Sequence, residues 1–174
     1  MTGAAVGAGT VAAPAIAQSM PKLNWRLTSA YPASLDTLFG SAKTVADYVS
    51  AATDGNFSIE VFPGGDIAPP LEAVDAVTAG TVEMAHTATS FYWERDPTWA
   101  VASALSFGLN DRQQNAWFYY GNGNTLVNAF LAGEGLYGLP CGNTGTQMGG
   151  WFRREINTLD DYQGLKFRMP GLGG

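Results

Sequence analysis

Residues 23–62, LNWRLTSAYPASLDTLFGSAKTVADYVSAATDGNFSIEVF, change period twice within one run. Leu23, Trp25 and Leu27 alternate with Asn24, Arg26 and Thr28, the period of two that a half-buried strand requires. Leu35, Leu38, Phe39, Ala42, Val45, Ala46 and Val49 then recur at helical spacing, with Ser34 placed to cap the start and Gly55 to end it. The stripe predicts a helix of about four or five turns. Phe57, Ile59 and Val61 alternate with Ser58 and Glu60, and the chain is a strand again. Beyond the turn at Pro63-Gly64-Gly65-Asp66, Leu71, Val74 and Val77 form a shorter helical stripe ending at Gly80, and residues 81–86, TVEMAH, return to strand alternation. The order is β-α-β-α-β. Parallel neighbours need crossover connections, so this order predicts an α/β fold, with helices on the faces of a parallel or mixed sheet.

Toward the C-terminus the pattern is less regular. Residues 91–99, FYWERDPTW, read as an aromatic loop, and 99–109, WAVASALSFGL, as a buried apolar segment whose type periodicity does not settle. Asn110 and Gln113 have the spacing of a capping box, opening a helix. Leu126, Val127, Phe130 and Leu131 form a further helical stripe. Residues 135–152, GLYGLPCGNTGTQMGGWF, supply two short strand candidates around a glycine-rich bend. A short helix follows, capped by Thr158 and ended at Gly164, and then a last strand candidate at 165–168, LKFR. No internal repeat occurs, and no low-complexity linker after residue 20.

Composition excludes several functions. Of the 174 residues 46% are apolar and 14% charged, which is the balance of a folded domain. With a formal charge of −6 and nine scattered basic residues, the chain lacks the clustered cations that phosphate-backbone binding needs, so no nucleic-acid partner is expected. Cys141 and His86 are the only residues of their types, which excludes a zinc site built of three or four Cys and His side chains. Residues 3–19, GAAVGAGTVAAPAIAQS, end on a small-x-small pattern at Ala15-Ile16-Ala17. They read as an export signal, with a flexible Ala/Gly tail as the alternative. The run is too short and too rich in glycine for a membrane span, which needs ~20 apolar residues.

Enzyme motifs fail in turn. GNTGTQMGG (142–150) lacks the Gly-Lys-Ser/Thr ending of a phosphate loop. Ser90, His86 and Asp96 have no nucleophile elbow around the serine. Cys141 with His86 is a nucleophile pair by arithmetic alone. Asp160 and Asp161 favour the positive end of a short helix. Two features remain. SFYW, Ser90 to Trp93, directly follows a strand of the β-α-β unit, and ligands of open α/β sheets bind outside the carboxyl ends of strands. Ser90, Phe91 and Tyr92 are therefore candidate pocket residues, with core packing as the alternative for the rings. The second feature is Gln147 with Arg168. Arg168 offers a planar fork matching a carboxylate, and Gln147 an amide oxygen suited to a hard cation or a hydroxyl. A solvated arginine is the alternative for Arg168, and Arg153 and Arg154 read as exposed.

From about Trp25 onward the chain resembles the DctP-type solute-binding subunit of the tripartite ATP-independent periplasmic (TRAP) transporters. WFRREINTLDDYQGLKFRMPG (151–171) is similar to that family's arginine-containing strand, short T-x-x-D-x-x-G helix and L-K-x-R-x-P-G run. PGGDIAPPLEAVDAVTAGTVEMAH (63–86) resembles its second segment, and SFYW and GNTGTQMGGWF (142–152) resemble the branch that binds 2-oxo acids. The resemblance implies a periplasmic solute-binding fold of two α/β lobes, type II-like, with this chain the N-terminal part. Residues 1–20 are then a signal remnant, 21–142 the first lobe, and 143–174 the crossover and the start of the second.

It further implies a periplasmic binding protein and no enzyme, which passes a small organic acid to integral membrane TRAP subunits. In that reading Arg168 grips the ligand carboxylate and Gln147 holds a bridging cation, sodium first, without an organic cofactor; Ser90, Phe91 and Tyr92 line the ligand. Monomer and homodimer both stay open. The alternative is the solute-binding protein of an ATP-driven importer for sugars or amino acids.

Overall fold

The computed structural model describes residues 21–103, 105–145 and 147–168. The export-signal expectation for residues 1–20 lies outside the described residues.

Three strands form a parallel sheet: β1 (Leu23–Ser29), β2 (Phe57–Phe62) and β3 (Met84–His86), in the order β2-β1-β3. β1 is central, with Leu27 paired to Val61 on one side and to Met84 on the other. The first crossover, helix α1 (Asp36–Ala52), brings Ala42 and Ala46 onto Leu27 and Ile59, and Val49, Phe57, Val61 and Met84 complete this core. The second crossover contains the 3₁₀ turn Pro70–Glu72 and helix α2 (Ala73–Thr78), and α2 packs beside β3.

The expected β-α-β-α-β order is present, with differences in detail. Helix α1 opens at Asp36 with no side-chain cap, so Ser34 does not cap it. Its end is set by backbone: Asp54 and Gly55 take φ of 50° and 73°, and the Gly55 N–H donates to the Ser50 carbonyl at 2.8 Å. In β1 the alternation does not translate into one wet and one dry face. Leu23 and Trp25 are exposed, whereas Thr28 and Ser29 are wholly buried. β2 pairs along most of β1 but β3 only beside Leu27, Thr28 and Ser29, so burial there follows position along the strand rather than face.

The second core joins Val74, Tyr92, Trp99 and Leu131, flanked by Phe91, Val127, Phe130 and Leu136. It gathers the 3₁₀ turn Thr89–Tyr92, helix α3 (Thr98–Val101) and helix α5 (Gly123–Gly133). Helix α4 (Asp111–Tyr120) opens with the expected capping box, Asn110 Oδ1 accepting from the Gln113 N–H at 2.9 Å and Gln113 Oε1 from the Asn110 N–H at 3.0 Å. Among the described residues of the segment expected to be buried at 99–109, Trp99 and Ala100 are so; Leu105, Phe107 and Leu109 are exposed, because α3 lasts a single turn and then leaves the core.

The strands expected within 135–152 and at 165–168 do not form among the described residues. A strand needs a partner's backbone to bond, and no described strand runs beside either segment. The short helix after Thr158 is present as a 3₁₀ turn, Leu159–Tyr162. Asp161 Oδ2 accepts the Thr158 N–H at 2.8 Å and its hydroxyl at 3.0 Å. Among the described residues no helix is long and apolar enough to cross a membrane.

Candidate functional site

The connection from β1 to β2 and the crossover from β2 to β3 run in opposite directions across the sheet, since β2 and β3 flank β1, and open sheets place ligands in the crevice where the strand order switches. The residues there come from three elements. From the exit of β1 come Ser29 and Tyr31, from the first turns of α1 Ser41, and from the end of β3 His86. Ser29 Oγ lies 3.2 Å from His86 Nδ1, and Ser41 Oγ 3.3 Å from His86 Nε2. The Tyr31 ring meets the His86 ring edge-on at 5.3 Å and the Phe91 ring at 6.2 Å. The rim is aromatic and uncharged. Burial holds the His86 imidazole below its ordinary pKa, and burial, with a smaller contribution from Tyr92, raises the Tyr31 phenol.

The backbone of Tyr31 is held from both sides. Its N–H donates to Ser29 Oγ at 3.1 Å, and its carbonyl accepts from the Gly64 N–H at 2.9 Å. Gly64, in the turn after β2, sits so close that a Cβ would lie 3.1 Å from the Ser29 oxygen and from the Ala30 carbonyl carbon and oxygen. These are backbone atoms that cannot swing aside. Gly64→Ala should therefore destabilise the protein by ~1–3 kcal/mol, read from the urea midpoint, and an unchanged midpoint would refute the close approach.

The low His86 pKa has a sign. As pH falls, the unfolded chain takes up the proton first, so stability is full above the ordinary 6.5 and is lost as pH falls toward the lowered folded value. Urea midpoints should decline from about pH 7 to about pH 5, above the range where carboxylates titrate. His86→Gln should flatten that decline; an equal decline in the variant assigns it to other groups.

The residues expected from sequence are distributed unevenly. Phe91 lines the crevice edge, half-buried. Ser90 is half-buried beside it, its N–H donating to Ser103 Oγ at 2.8 Å, and it has no bond to His86. Tyr92 is only 3% exposed. Its hydroxyl accepts from the Val74 N–H and donates to Thr87 Oγ1, each at 3.3 Å, so it packs the second core and props the crevice from behind.

Gln147 and Arg168 are exposed, and among the described residues no hydrogen bond joins either to residues 90–92. Gln147 Nε2 donates to Thr144 Oγ1 at 3.0 Å, which leaves its amide oxygen as the donor atom for a hard cation. One oxygen is a single ligand of the six or more such ions take, and among the described residues no group of three His, Cys, Asp or Glu side chains completes a cage. Arg168 follows Phe167, whose ring stacks on Phe152 at 4.8 Å and lies over Gly150, where a Cβ would collide with it. Arg153 and Arg154 are exposed as expected, and Arg154 donates to the Asp161 carbonyl at 2.6 Å. The segment leading to Gln147 does reach the crevice, with the exposed Cys141 Sγ 3.8 Å from Ser41 Oγ.

Sequence reasoning passed over Ser29, Tyr31 and Ser41 and weighed His86 only in zinc-site and catalytic motifs that it set aside. The available signal was position: Tyr31 lies two residues beyond the central strand, at the switch point. A separate apolar cavity of about 100 Å³ between α3, α4 and α5 is lined by Trp99, Trp117, Leu126 and Phe130 and offers an anion no charged partner.

Residues 28–173 match the model of the bacterial extracellular solute-binding protein family 7, DctP. A monocarboxylate 2-oxoacid-binding periplasmic protein of Nostoc is 45% identical over 155 residues, which are 89% of this chain and 42% of that protein. A TRAP transporter solute-binding protein of Bordetella bronchiseptica superposes with a TM-score of 0.85 at 42% identity, and its structure is a mixed-occupancy dimer with a calcium- and picolinate-bound active site versus an apo site. A TRAP periplasmic solute-binding protein of Pseudoalteromonas atlantica, solved with sodium and pyruvate, superposes with a TM-score of 0.83 at 35% identity. Each superposition covers 88% of this chain and 46% of the other, so the chain spans less than half the length of these relatives.

Proposed function

The chain belongs to the bacterial extracellular solute-binding protein family 7, and from that membership we propose that it captures a small organic acid in the periplasm for a TRAP-type secondary transporter. The preferred ligand class is the 2-oxo monocarboxylates. The observation that carries this is the uncharged aromatic rim at the strand ends, Tyr31, His86 and Phe91, in a chain 45% identical to a 2-oxoacid-binding protein. Such a rim suits the short apolar end of an acid like pyruvate and gives a second carboxylate no counter-charge. It also contains no carboxylate to receive an amino acid's ammonium, which weighs against the ATP-driven importer.

In this proposal residues 21–142 form the first lobe and 143–174 the crossover into a second, and the exposed Leu105, Phe107 and Leu109 meet that second lobe. Arg168 pairs with the carboxylate, and Gln147 contributes one oxygen to a bridging sodium or calcium. The ligand leaves chemically unchanged, handed to the membrane subunits.

Titration calorimetry of the full-length gene product tests this. Pyruvate and its longer 2-oxo monocarboxylate homologues should bind more tightly than succinate, and glucose or leucine should give no saturable heat. Gln147→Ala should weaken pyruvate binding and reduce its dependence on the cation. Equal wild-type affinity when sodium and calcium are replaced by a large organic cation removes the metal from the account. Tightest binding of a sugar or an amino acid overturns the proposal.

A further inference from the structure

His86 is bonded at both ring nitrogens, and the partners fix which nitrogen carries the proton. Ser41 has one hydroxyl hydrogen, and it is given to the Leu38 carbonyl at 2.7 Å. Ser41 Oγ can then only accept from His86, so the hydrogen is on Nε2. A half-buried neutral imidazole has one donor and one acceptor, and Nδ1 must therefore accept the Ser29 hydroxyl at 3.2 Å. Ser29 Oγ in turn accepts the Tyr31 N–H at 3.1 Å.

The bonds run in one direction on each side of the ring: Tyr31 N–H to Ser29, Ser29 O–H to His86, then His86 N–H to Ser41 and Ser41 O–H to Leu38. Each hydroxyl both gives and receives. This chain crosses three elements, the exit of β1, the end of β3 and the beginning of α1, and its free end is the backbone of the residue whose ring stands at the crevice rim. The remaining bond of that backbone, from Gly64, comes from the fourth side.

We propose that His86, held as the Nε2–H tautomer between Ser29 and Ser41, is a positioning residue that sets Tyr31 against the bound acid. The inference rests on the acid-capture function only for what Tyr31 touches; the tautomer and the clamp do not depend on it. Imidazole held in this way cannot rotate about its Cβ–Cγ bond without breaking two bonds at once, and Tyr31 keeps one rim geometry whether or not ligand is present. Preorganisation of this kind shows in affinity rather than in fold.

Two measurements on the full-length gene product decide it. Nitrogen-15 NMR of the histidine ring should show a neutral Nε2–H form at pH 7. An Nδ1–H ring, an imidazolium or a tautomer mixture overturns the clamp, whatever binds. Ser29→Ala removes the link to Tyr31 while leaving Ser41 in place, and should weaken pyruvate binding roughly tenfold, the equivalent of about one hydrogen bond. With Tyr31→Ala already present, Ser29→Ala should change affinity by less than about twofold, because its effect passes through Tyr31. Losses that multiply across the double variant, or a folded Ser29→Ala protein with wild-type affinity, contradict the positioning role. Ser41→Ala, which releases the ring from its other side, should shift it toward a tautomer mixture and weaken pyruvate binding, and it stands in for Ser29→Ala should that variant fail to fold; an unchanged tautomer and affinity contradict the positioning role. A wild type that binds no acid but shows the Nε2–H ring refutes the proposed function and supports the clamp.

Discussion

Arg168→Ala is expected to weaken binding of the acid by ~30-fold to several thousandfold in the full-length gene product, the equivalent of ~2–5 kcal/mol for a buried carboxylate left without its partner. Its guanidinium is one residue beyond Phe167, whose ring is locked between Phe152 and Gly150 and lies 6.4 Å from the Tyr162 ring. The Thr158–Asp161 cap holds Tyr162 in turn. The side chain that precedes the arginine is thus packed, which narrows the positions from which the guanidinium fork can meet a carboxylate. Arg168→Lys keeps the charge and loses the fork, so it should be impaired as well. Arg153→Ala is the control. Arg154 serves less well, because it also ties the Asp161 carbonyl and its loss disturbs the cap. Unchanged affinity in a folded Arg168→Ala protein would remove the carboxylate assignment.

Trp99→Ala should cost ~3–5 kcal/mol of stability, the range for deleting a large core ring. Trp99 is 2% exposed, meets the rings of Tyr92 and Phe130 at 5.4 Å each, and joins α3 to α5 and to the turn behind the crevice. Trp99→Phe should be much milder. The indole N–H is buried with no partner among the described residues, so its removal offsets part of the lost packing. Equilibrium urea unfolding measures both. A loss below about 1 kcal/mol for Trp99→Ala would show that the second core is not cooperative with the sheet.

Because Tyr92 is part of that core, Trp99→Ala also bears on function. The ring of Tyr92 supports the 3₁₀ turn carrying Phe91, and its hydroxyl joins Val74 to Thr87. Affinity should drop together with stability in Trp99→Ala, whereas Arg168→Ala should leave stability near wild type. The pair separates a packing defect from a lost ligand contact.

Local signals predicted local structure well. The period changes in 23–62 fixed the central unit, and the Asn110/Gln113 spacing and the Thr158 cap found their helical starts, because capping is decided within four residues. Segments 135–152 and 165–168 misled for the opposite reason. Alternation marks a sequence able to form a strand, but the ladder needs a neighbour, and none is supplied among the described residues. The buried Thr28 and Ser29 were unreadable in the same way, since their burial goes with pairing to β3, far along the chain.

The site divides along the same line. Phe91 was legible as the residue following a strand, and Tyr31 deserved the same inference two residues after β1. His86 was not legible, because its role depends on hydroxyls 57 and 45 residues away in sequence. For Arg168 and Gln147 the family pattern carries more than the local fold does.

The most direct measurement is a crystal structure of the full-length gene product with pyruvate. The account predicts the carboxylate within hydrogen-bond distance of the Arg168 guanidinium, ~2.7–3.2 Å, with the Tyr31 ring forming the rim of the same pocket. Pyruvate bound elsewhere, with Arg168 in solvent and the strand-end crevice empty, would contradict it.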